Sequence, residues 1–292
     1  MRISLFSFKI GFIAFMIVLL LMPIGHVVMI LNEILLEEHK FTGAFLIGLL
    51  GLMFLVIGII QNQHRITATV LGLVSGVLVW TGWIEFSFVW IAEKLKIAPL
   101  IEEGVIVTKP EYLVMMSSLG LLMTFLVFYL FLKTNCTYFS WFQKHLGLKK
   151  YINTKGGVQR PLALITFIES IMLMWMFYLV LLLVYDKEIS QYSHIATSVV
   201  AIGSLIWSLY LIFKLLRITK LDYAIRYAIP TVIIFWNVVE ILGRWDFLKE
   251  VWVFPVEHTI ENILIVLTLV GVALYYRYMR KKKGSFYRQK DN

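Results

Sequence analysis

Two pairs of side chains three residues apart, Asn237 with Glu240 and His258 with Glu261, raise the question of what chemistry this chain can do. On a helix such a pair lies on one face, so both members can reach the same space. Further ionisable groups sit in apolar surroundings: His26 in "LLLMPIGHVVMIL", Glu85 in "WTGWIEFSFVW", and Glu33 about two helical turns after His26. At the centre of an apolar helix each would cost about 2.5–3.5 kcal/mol on insertion scales unless paired, hydrated or functional. Imidazoles and carboxylates projecting inward from several helices are the groups from which bundle metal sites are built. His26, Glu85, Glu240, His258 and Glu261 would give a nitrogen and oxygen donor set suited to iron, manganese or zinc, with Glu33 and Asn237 nearby. Glu85, Glu240 and Glu261 are also the expected proton-transfer groups.

For these residues to meet, the elements carrying them must cross a membrane together. Of the 292 residues 60% are hydrophobic and only 15% charged, with a mean hydropathy of +0.83, outside the balance of a soluble domain. Apolar runs of about 20 residues, enough to cross a hydrocarbon core of about 30 Å, recur along the chain. The expected fold is an all-α polytopic transmembrane bundle of eight spans, near 9–31, 41–61, 67–91, 111–132, 161–185, 194–214, 224–243 and 258–278. The first run lacks a small-residue cleavage motif and continues through Pro23, so it reads as a span rather than a signal peptide.

Basic residues set the orientation. Lys133, Lys144, Lys149, Lys150, Lys155 and Arg160 follow the fourth span, Lys214, Arg217, Lys220 and Arg226 follow the sixth, and residues 281–292 form a basic tail. These segments, and with them both termini, are expected in the cytoplasm, whereas the acidic "NEILLEEHK" belongs outside. That orientation brings His26, Glu85, Glu240, His258 and Glu261 to one depth in the outer half of the bilayer, while Glu169 falls in the inner half. The whole chain reads as one integral membrane domain of a plasma or inner membrane. "HRIT" at 64–67 and "LRIT" at 216–219, each followed by a helix with a late Trp and Glu, fit a four-plus-four duplication with halves near 1–135 and 155–280. The segment from Cys136 to Gly157 has aromatics and bases at the spacing of a short interfacial helix.

The first functional expectation is a metal-dependent membrane enzyme acting on lipid or another hydrophobic substrate by hydrolysis or oxidation. The second is a proton- or ion-coupled transporter using the same carboxylates. The third is an electron-transfer or scaffold subunit, with haem b held between His26 and His258. Competing structural roles are an i,i+4 ion pair of Glu240 with Arg244 and a wet N-terminal position for Glu257 and Glu261. The lone Cys136 cannot make an intramolecular disulfide or a multi-thiolate site, and no phosphate loop or nucleophile elbow is present. Net charge of +9 is explained by orientation, and nothing else points to nucleic acid.

Overall fold

The computed structural model describes residues 4–102, 105–132, 137–150, 160–186 and 193–288. The chain forms a helical bundle, and among the described residues six helical segments are long and apolar enough to cross a membrane, or seven if one bent pair counts as a span. In chain order the elements are α1 (Leu5–Leu36), α2 (Lys40–Ile60), α3 (Arg65–Val79), a π-helical stretch (Trp80–Glu85), α4 (Phe86–Lys94) and a β-hairpin of β1 (Leu100–Glu102) with β2 (Val105–Thr108). Then come α5 (Pro110–Ser117), α6 (Leu119–Leu130), α7 (Thr137–His145), α8 (Leu162–Tyr185), α9 (Ser193–Leu215), α10 (Leu221–Arg244) and α11 (Thr259–Arg288).

The apolar run Leu5–Ile60, 56 residues long, is two helices rather than one. A single 3₁₀ turn, Glu37–His39, separates them, and Glu37 adopts a positive φ of 35°. Past the turn the chain folds back: Asn32 Nδ2 donates to Lys40 O at 2.8 Å, and Gly43 faces Asn32 and Leu36. α2 then descends along α3, with Gly51 against Val79 and Gly58 against Leu71.

Small residues let these backbones approach, the usual means of packing helices that share their apolar character with lipid. A Cβ at Gly82 would stand 2.5 Å from Gly48 N and 2.6 Å from Ala44 O. Neither backbone atom can swing aside as a side chain would, so Gly82→Val is expected to separate α2 from the π-helical stretch and cost about 1–3 kcal/mol. Thermal unfolding in detergent would measure it; an unchanged midpoint would show that the contact is dispensable.

The expected fourth span, 111–132, is broken. α5 and α6 meet at 47° around Ser118. Ser117 Oγ donates to Val114 O and Ser118 Oγ to Met115 O, each at 2.6 Å, a back-bonding that bends helices. Trp175 Nε1 holds the bend by donating to Ser118 Oγ at 2.9 Å. The expected short helix is α7, with Tyr138, Phe139 and Gln143 buried and Trp141 exposed. Gln143 Nε2 donates to Leu130 O and Leu132 O, satisfying carbonyls at the end of α6.

An element outside the all-α expectation is the antiparallel hairpin, with Ile101 opposite Ile106 and a register shift between Leu100 and Ile101. Its sequence, "LIEEGVIVT", is rich in β-branched residues, which favour a pleated strand over a helix. At the C-terminus α11 runs on through the first part of the basic segment 281–292 to Arg288, and residues 289–292 lie outside the described residues.

The bundle's interior is apolar, with Ile13, Leu73, Leu173, Ile225 and Ile234 fully buried. Its exterior is apolar too: Val199, Ile202 and Ile206 of α9 and Ile260, Leu264 and Leu267 of α11 are all exposed. Water would penalise such faces, whereas lipid tails solvate them without penalty.

Candidate functional site

A cavity of about 480 Å³ opens among α1, the α3–π segment, α8 and α10. Helical spacing explains which side chains reach it. α1 contributes Met22, His26 and Met29, α10 contributes Ile233, Asn237, Glu240 and Arg244, and α8 contributes Met174, Tyr178, Leu181 and Tyr185. Lys109 and Tyr112 border it beside the hairpin, and Glu250 and Trp252 come from the segment after α10.

The α3 wall depends on its π geometry. Trp80 and Glu85 both line the cavity, yet residues five apart on an ordinary α-helix point about 140° from one another. Bonding from i to i+5 widens the turn and brings the two toward a common side. Such insertions are frequent at functional sites.

At the centre of the site, His26 Nε2 lies 3.9 Å from Glu240 Oε1. Trp236 Nε1 donates to the same oxygen at 2.6 Å, fixing the carboxylate from within its own helix. One helical turn on from Glu240, the Arg244 guanidinium lies over the Tyr185 ring, 4.1 Å from its centroid. Glu85 is 3% exposed and accepts from Tyr178 Oη at 3.5 Å, and Tyr112 Oη lies 3.3 Å from Tyr178 Oη, placed to donate to it. Asn237 Nδ2 donates to Ser204 Oγ at 3.4 Å, which ties α10 to α9.

The structure therefore brings His26, Glu85, Asn237 and Glu240 to one cavity and leaves out the other three expected members. His258 and Glu261 pair with each other at 3.5 Å at the start of α11, and Glu261 is half-exposed. Their neighbour Asn262 donates to Val251 O and His258 O, so this end of α11 holds the preceding segment in place. Glu33 lies beyond the cavity's lining residues. His258, the second ligand expected for a haem, is not among the residues that line the cavity beside His26. Among the described residues no three His, Cys, Asp or Glu side chains stand close enough together to hold a metal ion. Of the five expected ligands, His258 and Glu261 pair with each other at 3.5 Å, and His26 and Glu240 approach to 3.9 Å.

Comparison with known protein families, with curated proteins and with solved structures finds no match to this chain. Its own geometry is what bears on function.

Several site residues carried little signal in the sequence. Tyr178 and Tyr185 are two aromatics among many in an apolar helix, and Lys109 is a lone base before Pro110, so composition and spacing do not single them out. Glu250 lies outside the apolar spans, with no spacing that marks it. In the structure it packs against Gly243 and faces the cavity, where burial pushes its carboxyl up to about 7, reinforced by Glu240 and opposed by Arg244. Its pKa is thus higher folded than the ordinary value of 4.5. Between those values the folded chain binds the extra proton, so Glu250's contribution favours the fold at low pH and is lost as pH rises to about 7. Unfolding midpoints in detergent from pH 4 to 8 are expected to fall less in Glu250→Gln than in the wild type. Parallel curves would refute the shift.

Glu169, placed by the sequence away from the main cluster, lies 1% exposed on α8 and accepts from Tyr129 Oη at 2.9 Å. It belongs to a separate buried contact between α6 and α8.

Proposed function

We propose that this chain is a multi-pass membrane enzyme that draws a single-chain amphiphile into the α1–α3–α8–α10 cavity and transfers a proton at its polar end. The observation that carries this reading is the His26–Glu240 approach of 3.9 Å on a cavity of about 480 Å³. An imidazole oriented by a carboxylate, itself fixed by Trp236, has the form of a general base with its positioning group. Catalytic hydrogen bonds are often long without substrate, and 3.9 Å leaves the imidazole free to turn toward a reacting group. Apolar side chains at one end of the cavity, among them Met22, Val77 and Ile233, suit the substrate's chain, and Glu85 meets its polar end.

Catalysis is favoured over transport by what lies beyond the cavity. Val18, Leu73, Leu173 and Ile229, none more than 1% exposed, close the bundle toward the start of α10. A site open from one side can process a substrate without a second exit.

Finer topology follows the same reading. The Leu5–Ile60 run supplies two crossings and the bent α5–α6 pair one, giving eight with both termini cytoplasmic. The site then faces the outer half of a plasma or inner membrane.

Incubating purified protein with a total membrane lipid extract, followed by mass spectrometry, tests the reading. A product should form with the wild type and be lost with Glu240→Gln; an extract left unchanged by the wild type would overturn it.

A further inference from the structure

A buried carboxylate without a counter-ion is expensive, and Glu85 is one. Among the described residues no Lys, Arg or His nitrogen comes within 4.0 Å of it, and Lys109, which borders the same cavity, makes no ion pair with it. Its surroundings are aromatic. The Tyr178 ring lies 5.8 Å from that of Tyr112 and 5.9 Å from that of Trp80, and all three line the cavity with Glu85.

One carboxylate among ring faces does not resemble a cation site for a hard metal, which takes six or more oxygens. It does match the needs of an organic cation. Ring quadrupoles attract a weakly hydrated ammonium placed over their faces, and the carboxylate supplies the opposite charge. An anionic head placed there would meet the Glu85 carboxylate, whose hydrogen-bond partner is the neutral Tyr178, although Lys109 and Arg244 line other parts of the cavity.

We propose that Glu85 and the rings of Trp80, Tyr112 and Tyr178 seat an ammonium head group, with the attached chain lying toward Met22 and Ile233. This rests on the cavity being the amphiphile site, and it names the head group that the site selects. The ligand would complete the electrostatics that Tyr178, a neutral donor at 3.5 Å, leaves unbalanced.

Calorimetric titration of the protein in neutral maltoside micelles, corrected with protein-free micelles, separates these claims. Three probes share one octyl chain: octyltrimethylammonium, octanol and octanoate. The ammonium compound is expected to bind about 10-fold more tightly than either of the others, and Glu85→Gln to abolish the preference. The head-group series in the wild type stands as a test even if the variant fails to fold. Equal binding of all three, tighter binding of octanoate, or a preference that survives in Glu85→Gln would overturn the ammonium assignment while leaving the cavity as an amphiphile site. Failure of every octyl compound to bind would remove both.

Discussion

Glu240→Gln is expected to slow product formation about 10²–10⁴-fold, the range lost when a positioned acid–base group is removed. The substitution keeps the shape of the side chain and an oxygen for Trp236 Nε1, so α10 and the cavity wall should stay in place. What it removes is the carboxylate that orients His26. His26→Gln should therefore cost a similar factor, and the double variant little more than either single one, because groups acting as a unit are strongly non-additive. Binding of octyltrimethylammonium reports separately on the cavity and should persist in both variants. Rates multiplying in the double variant would show that His26 and Glu240 act independently.

That pairing illustrates what the sequence could and could not reveal. His26, Glu85, Asn237 and Glu240 were legible because ionisable or amide groups inside apolar helices are costly, and all four line the cavity. His258 and Glu261 looked equivalent in spacing, yet helix rotation turned them to each other at 3.5 Å, and rotation is not encoded by an i,i+3 interval. The sequence also could not show the π-helical stretch, since "WTGWIE" has the composition of any apolar helix. Glu250 was hidden for another reason. Its burial comes from the fold of residues 245–258 back over Gly243, a tertiary arrangement without periodicity.

Helix boundaries followed the same logic. Hydropathy located the apolar runs, because lipid demands them along most of their length. It could not see the 47° bend at Ser118, which rests on two hydroxyls bonding back to their own helix and on Trp175 reaching across from α8. Nor could it see the fold-back after α1 except as a cluster of acids, Glu37 and Glu38, between two apolar stretches.

The largest stability effect should arise at the opposite end of the bundle from the hairpin, at Asp222. This carboxylate, buried at the start of α10, accepts from Arg65 Nε at 2.9 Å and lies 3.9 Å from Arg226 Nη2. Arg65 is mostly exposed and can return to water, but Arg226 has a side chain only 6% exposed. Asp222→Ala therefore strands a buried guanidinium, and breaking such a pair from one side costs about 3–5 kcal/mol. Most of that cost is the unpaired cation rather than the worth of the pair, so Arg226→Met added to Asp222→Ala should recover a large part of it. The remaining loss would measure the tie that Arg65 makes between α3 and α10. Thermal unfolding of the wild type, both single variants and the double variant in one detergent closes the cycle. A double variant less stable than Asp222→Ala alone would mean that Arg226 is held by its neighbours, including the Tyr223 ring 5.8 Å away, and does not depend on Asp222.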